Sequence, residues 1–156
     1  MDNKELNKKA NDEFTNLTDH DFFNELEAAE QAIKSCKDPF DVGFYLSQQD
    51  VLNKLYGEIE NSFGELNADL ESYITGRKLA IVIESSQNKG IFTVGGEEVK
   101  VTSTLLNSVL SSLIRAEVND LFRIVLILES KIRRIQVNLQ TTRNHTYAKN
   151  TVEKEK

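Results

Sequence analysis

The chain has no tryptophan, one cysteine, one proline and one methionine among its 156 residues. A lone cysteine, Cys36, excludes an intramolecular disulfide framework. One proline and seven glycines are too few for a loop-dominated or disordered chain. Long apolar runs are missing as well. The longest are Leu79 to Ile83 and Ile124 to Leu128, far short of the ~20 residues of a bilayer-spanning helix. The first residues, MDNKELNKKANDE, lack the apolar core of a secretory signal. The expected setting is therefore a reducing cytoplasm, where the Asn-x-Thr sequons at Asn16 and Asn144 have no meaning.

Catalytic constellations are also lacking. His20 and His145 lie at opposite ends of the chain, and neither has His, Cys or Asp neighbours at metal-ligand spacing. Cys36 reads as a small apolar residue near a helix end. The stretch GIFTVGGEE carries glycines but neither the Walker nor the dinucleotide-binding spacing, so it reads as a turn. Carboxylates are plentiful but fall on solvated helix faces. The expectation is a protein that is not an enzyme and holds no cofactor or metal.

What is present is helical texture and a polarised charge. The net charge is −6. Residues 1–75 hold 6 Lys/Arg against 17 Asp/Glu, whereas residues 76–156 hold 13 against 8. Such polarity can steer an anion to one end, pair subunits head to tail, or record acidic and basic helices packed side by side. Residues 1–17 are polar and are expected to be a flexible N-terminus. A first helix is predicted from about 19 to 36, with Thr18 as N-cap, Asp21 at the third helical position and Phe22, Leu26, Ala29 and Ile33 as its stripe. Pro39 breaks it.

A longer helix is predicted from about 40 to 76. Leu52, Tyr56, Ile59, Phe63, Leu66, Leu70 and Tyr73 alternate spacings of 4 and 3, the seam of helix-on-helix packing. Gly76 is the expected stop. Leu79 to Ile83 and Ile91 to Val94, with a turn signal at Asn88 to Gly90, predict a small β-hairpin insertion around 79–101. Extension of the helix to about Glu84 stays open, because short apolar runs have no distinguishing period. Thr102 or Ser103 is expected to cap a third helix, about 103 to 143, whose seam includes Leu110, Ile114, Leu121, Val125, Leu128, Ile132, Ile135 and Leu139. Between Leu121 and Leu128 this helix is apolar almost all round, which points to more than one packing partner. Residues 144–156 read as a disordered tail.

The predicted fold is therefore all-α: an antiparallel long-helix hairpin of coiled-coil type with a short N-terminal helix and a small β insertion, forming one domain over residues 18–143. The surplus apolar surface of Leu121, Val125, Leu128, Ile132, Ile135 and Leu139 marks an oligomer interface. One charged cluster stands out. Lys131, Arg133, Arg134, Arg143 and Lys149 meet no acidic residue between Glu129 and Glu153, and Asn138, Gln140, Thr141, Thr142 and Asn144 add hydrogen-bonding groups suited to phosphate. Tyr147 is the aromatic available for stacking. A solvated basic face that balances the acidic helices explains the same cluster.

A heptad helix ending in Leu66-x-Ala68-x-Leu70-Glu71-x-Tyr73 and Gly76-Arg77 is followed by a short variable segment and then by Val99-Lys100-Val101-Thr102 before a long helix with a basic end. Over roughly residues 45–143 this order resembles the UvsY-type recombination mediators of phages. The resemblance implies a homo-oligomer that binds single-stranded DNA and loads a RecA-like recombinase in a phage-infected host cell. That family carries basic residues within the Leu-x-Ala-x-Leu stretch, where this chain has Asn67 and Asp69. DNA contact would then fall to Arg77, Lys78 and the cluster from Lys131 to Lys149. Two other readings remain: an acidic interaction protein, either an assembly adaptor or an inhibitor of a host defence system, and a structural coiled coil of a virion.

Overall fold

The computed structural model describes residues 1–100 and 109–155, with side chains up to Tyr147. Among these the chain is helical apart from one small antiparallel sheet, as its periodicity predicts. The order is α1 (Asn3–Asp19), α2 (Phe22–Ser35), α3 (Val42–Gln87), β1 (Ile91–Val94), β2 (Glu97–Lys100), α4 (Leu110–Glu117) and α5 (Asn119–Glu155). No helix among the described residues is long and apolar enough to cross a membrane. The chain divides into two compact units. One comprises residues 1–13 and 64–126, the other residues 14–63 and 127–156.

The N-terminus corrects the expectation of a flexible segment. Residues 3–19 form α1, opened by Asp2, whose carboxylate accepts from the Glu5 backbone N–H at 2.8 Å. Leu6, Ala10 and Leu17 are buried, and spacings of 4 and 7 hide a three-residue apolar stripe among polar neighbours. Thr18 does not cap the next helix. Its hydroxyl donates to the Phe14 carbonyl within α1. The turn is made instead by Asp21, which takes a left-handed conformation with φ 59°, a region that aspartate tolerates better than most residues. The Asp41 side chain opens α3 by accepting from the Phe44 N–H at 3.0 Å.

Helix α3 runs eleven residues past the expected stop, through Gly76 to Gln87. Gly76 lies on an exposed face with open space where a Cβ would be. Ile81, one turn further on, is fully buried, and this burial holds the helix together beyond the glycine. Leu79 to Ile83 is therefore helical rather than a strand. The end comes at Lys89 (φ 54°) and Gly90 (φ 85°), where the Gly90 N–H reaches back to the Ser85 carbonyl at 2.7 Å in a Schellman-type closure. The hairpin lies wholly beyond it. Gly95 and Gly96, both at positive φ, join Val94 to Glu97 in a two-residue turn of the kind that matches strand twist.

The unit formed by residues 1–13 and 64–126 packs Leu6 and Ala10 of α1, Leu66, Leu70, Ile74 and Ile81 of α3, and Phe92 and Val94 of β1 into its core with Ile114 and Leu121. Lys9 bridges α1 to α3 through Glu65 at 2.7 Å and Asp69 at 2.8 Å. The helix expected as one piece from 103 to 143 is broken at Val118, which has φ −124° and ψ 52°. The start of α5 is held by α1: the Leu121 N–H donates to the Asn7 side chain at 3.1 Å, and Asn11 donates to Asp120 at 3.0 Å. The expected cap at Thr102 or Ser103 lies outside the described residues.

The unit formed by residues 14–63 and 127–156 is a three-helix packing of α2, the first half of α3 and the later part of α5. Phe22, Leu26, Leu52, Leu55, Ile59, Leu128 and Ile135 are fully buried there. Along α3 the burial follows Leu52, Leu55 and Ile59, so Tyr56 and Phe63 of the predicted seam sit at its half-buried flank. Helix α5 continues to Glu155, through the stretch expected to be a disordered tail.

Candidate nucleic-acid interface

The basic residues singled out by sequence differ in what already holds them. Arg77 is held by its own unit: Nε donates to Glu117 Oε1 at 2.9 Å and Nη2 to the Thr93 carbonyl at 2.6 Å, with the Arg77 and Glu117 side chains only 21% and 12% exposed. Its neighbour Lys78 is half-buried. Arg134 donates to both carboxylate oxygens of Glu30, a bidentate pair that Asn138 joins at 3.2 Å. The Lys131 ammonium sits 5.9 Å from the Phe23 ring centre, a cation–π contact. Arg133 meets Glu129 one turn earlier at 2.7 Å, but its side chain is 73% exposed. The Lys149 side chain lies outside the described residues.

Around α5 these groups separate onto two faces, because residues three or four apart share a face while neighbours do not. Arg134, Asn138, Thr141 and His145 line a cleft of about 430 Å³ with Glu27, Glu30 and Lys34 of α2. That cleft mixes both charges and its guanidinium is already satisfied. At its far end the His145 ring stacks on Tyr45, with centroids 4.3 Å apart and planes 4° from parallel. His145 Nδ1 lies 3.2 Å from the Pro39 carbonyl, which can only accept, so Nδ1 carries the proton. Burial, then the hydrogen bond with Cys36, then the nearby charges including Asp38 and Asp41, push the Tyr45 hydroxyl up to about 12.

The other face is different. Arg143, Gln136, Gln140 and Leu139 of α5 line a cleft of about 340 Å³ with Asn53 and Tyr56 of α3. No carboxylate lines it. It combines a guanidinium, three amides and a half-buried phenol ring, the set that engages phosphates, sugars and base faces without reading sequence. Arg133 lies ten residues before Arg143, about 15 Å along the same helix. Its exposed pair with Glu129 contributes only about 0.3–0.5 kcal/mol, so the side chain can leave Glu129 for a phosphate. Tyr56 is absent from the sequence-derived site. Its 4-3 spacing signals seam packing and hides its flank position.

The proposed oligomer interface on α5 is corrected. Leu121, Val125, Leu128, Ile135 and Leu139 are buried within the chain itself and Ile132 is half-buried, so these side chains are not left over for a second copy. Leu126, on the outer side of the stretch from Leu121 to Leu128, is exposed, as are Leu79, Val82 and Ile83 on α3 and Val137 on α5. Among the described residues no three His, Cys, Asp or Glu side chains come together as a metal-holding group. The chain matches no protein-family profile, no curated protein and no solved structure.

Proposed function

We propose that the protein is a non-catalytic accessory factor that binds single-stranded DNA, of the recombination-mediator type its order of elements resembles. The reading gives it a RecA-like recombinase as partner and the cytoplasm of a phage-infected cell as its place of action. One observation carries it: the carboxylate-free cleft of Arg143, Gln136, Gln140, Asn53 and Tyr56, with Arg133 further along the helix. Arg77 and Arg134 are withdrawn from the proposed contact surface, since each is held by a carboxylate of its own unit.

The test is fluorescence anisotropy with a thirty-nucleotide strand at about 50 mM salt. Arg133→Glu with Arg143→Glu is expected to weaken binding at least tenfold at unchanged helix content. Lys4→Glu on α1 should leave binding as it was. No binding by the intact protein at low salt would overturn the proposal. The neutralised Arg77 and Arg134 and the net charge of −6 favour, as a second reading, an acidic interaction protein that serves as an adaptor or inhibitor of a basic partner. On that reading, neutralising Glu25 and Glu27 abolishes partner capture, whereas Glu30 is already held by Arg134.

A further inference from the structure

The carboxylate-free cleft between α3 and α5 is layered. Its deepest lining residues are apolar or aromatic: Leu139 is buried and Tyr56 half-buried, whereas Asn53, Gln136, Gln140 and Arg143 are exposed. Such a floor is of no use to a phosphate, which loses hydration against it. An apolar floor under a polar rim instead suits a flat ring with hydrogen-bonding edges. The rim continues as a row. Arg133, Gln136, Gln140 and Arg143 are spaced 3, 4 and 3 apart, so they share one face of α5, with the two amides between the two arginines. Gln140 Nε2 donates to Asn144 Oδ1 at 2.8 Å, which leaves the Gln140 carbonyl oxygen as an acceptor.

We infer that the cleft takes one unstacked base of the bound strand, laid on Tyr56 and Leu139, while Arg133 and Arg143 hold phosphates on either side of it. This rests on the single-strand reading above and adds that the site engages a base as well as the backbone. Every base has a flat face, so the contact is indifferent to sequence. The arginines lie about 15 Å apart along the helix. That is the span of roughly four stacked nucleotides at about 3.4 Å each. Drawing one base out of the stack lengthens the backbone step, so each copy grips about four nucleotides or fewer. The consequence is selectivity for single strands. Two phosphate contacts fit a duplex as well as a single strand, but a paired base must break its pair and leave its stack to enter the cleft. Base–aromatic stacking contributes about fivefold to a hundredfold in affinity.

Anisotropy of the full chain at about 50 mM salt, with three probes of equal length, tests it. The probes are a thirty-nucleotide thymidine strand, the same strand paired with its complement, and an abasic deoxyribose-phosphate strand. The intact chain is expected to bind the thymidine strand at least about fivefold tighter than either of the others. Tyr56→Leu keeps the apolar packing and removes the ring. It should bring the thymidine-strand affinity down to that of the abasic strand, with helix content and salt slope unchanged. Tyr56→Phe should bind as the intact chain does. An abasic strand or a duplex bound as tightly as the thymidine strand overturns the inference and leaves DNA binding by the arginines standing. So does a Tyr56→Leu chain that keeps its preference for the thymidine strand. No binding to any of the three probes overturns the single-strand reading itself, and the inference with it.

Discussion

At the scale of single residues, Arg77 and Tyr45 do structural work that their chemistry alone does not announce. Arg77 satisfies Glu117 and a strand carbonyl in a poorly hydrated place. Arg77→Ala strands that carboxylate and is expected to cost about 2–3 kcal/mol in urea unfolding. Replacing both partners, Arg77→Met with Glu117→Met, should recover most of the loss, because burying an unpaired charge costs more than losing the pair. Tyr45 gives the pH dependence. Its hydroxyl rises from the ordinary 10.0 to about 12, so the folded state keeps the proton more tightly than the unfolded chain does. That contribution is complete below about pH 10 and is lost as pH climbs through 12. Lys9, raised by its hydrogen bonds to Asp69 and Glu65, and Tyr73, raised by burial, act in the same direction. Ultraviolet titration should show one of the four tyrosines ionising only near pH 12, together with loss of helix. Tyr45→Phe should remove that late step.

At the scale of elements, two glycines inside α3 make a direct test of local propensity. Gly57 and Gly64 are on the outer side of the helix interior, with open space around an added Cβ. Gly57→Ala and Gly64→Ala should each stabilise by about 1 kcal/mol, or roughly 2–4 °C in Tm for a chain of this size. Helices α2, α3 and α5 are legible because their apolar residues recur at helical spacing. Their ends are less so. Gly76 has the composition of a helix stop, but a glycine stops a helix only where the next turn has no core to pack on, and Ile81 finds one. The true stop falls in the Asn88 to Gly90 turn signal, which by sequence belongs to the hairpin rather than to the end of α3. The break at Val118 has no local signal: it is fixed by Asn7 and Asn11, more than a hundred residues away.

At the scale of the whole molecule, net charge conceals how it is partitioned. The acidic first half and basic second half suggest a basic surface, but Arg77 and Arg134 meet carboxylates inside their own units. Charge runs in a sequence record what a helix carries and not what faces it, so the basic cluster is legible and its neutralisation is not. The difference is measurable. The logarithm of a single-strand affinity falls with the logarithm of salt at about 0.7 per phosphate contacted. All seven sequence-derived residues in contact would give a slope near −5 per copy, roughly. Contact through Arg133 and Arg143 alone predicts a slope of about −1.4. Anisotropy titrations from about 25 to 200 mM salt distinguish these values.

The hairpin strand β1 gives a last consequence. Thr93 stands opposite Glu98, and its own backbone groups turn away from β2: the N–H donates to Glu84 and the carbonyl accepts from Arg77. Those two side chains occupy the edge on which another strand would pair. The segment they cover, Ile91-Phe92-Thr93-Val94, is uncharged and rich in β-branched and aromatic residues, the composition that seeds cross-β stacking when an edge is bare. Arg77 and Glu84 thus satisfy the backbone groups that a further strand would use. Removing both, with Arg77→Ala and Glu84→Ala, should leave a protein that forms thioflavin-positive fibrils on mild heating under conditions where the intact chain stays clear.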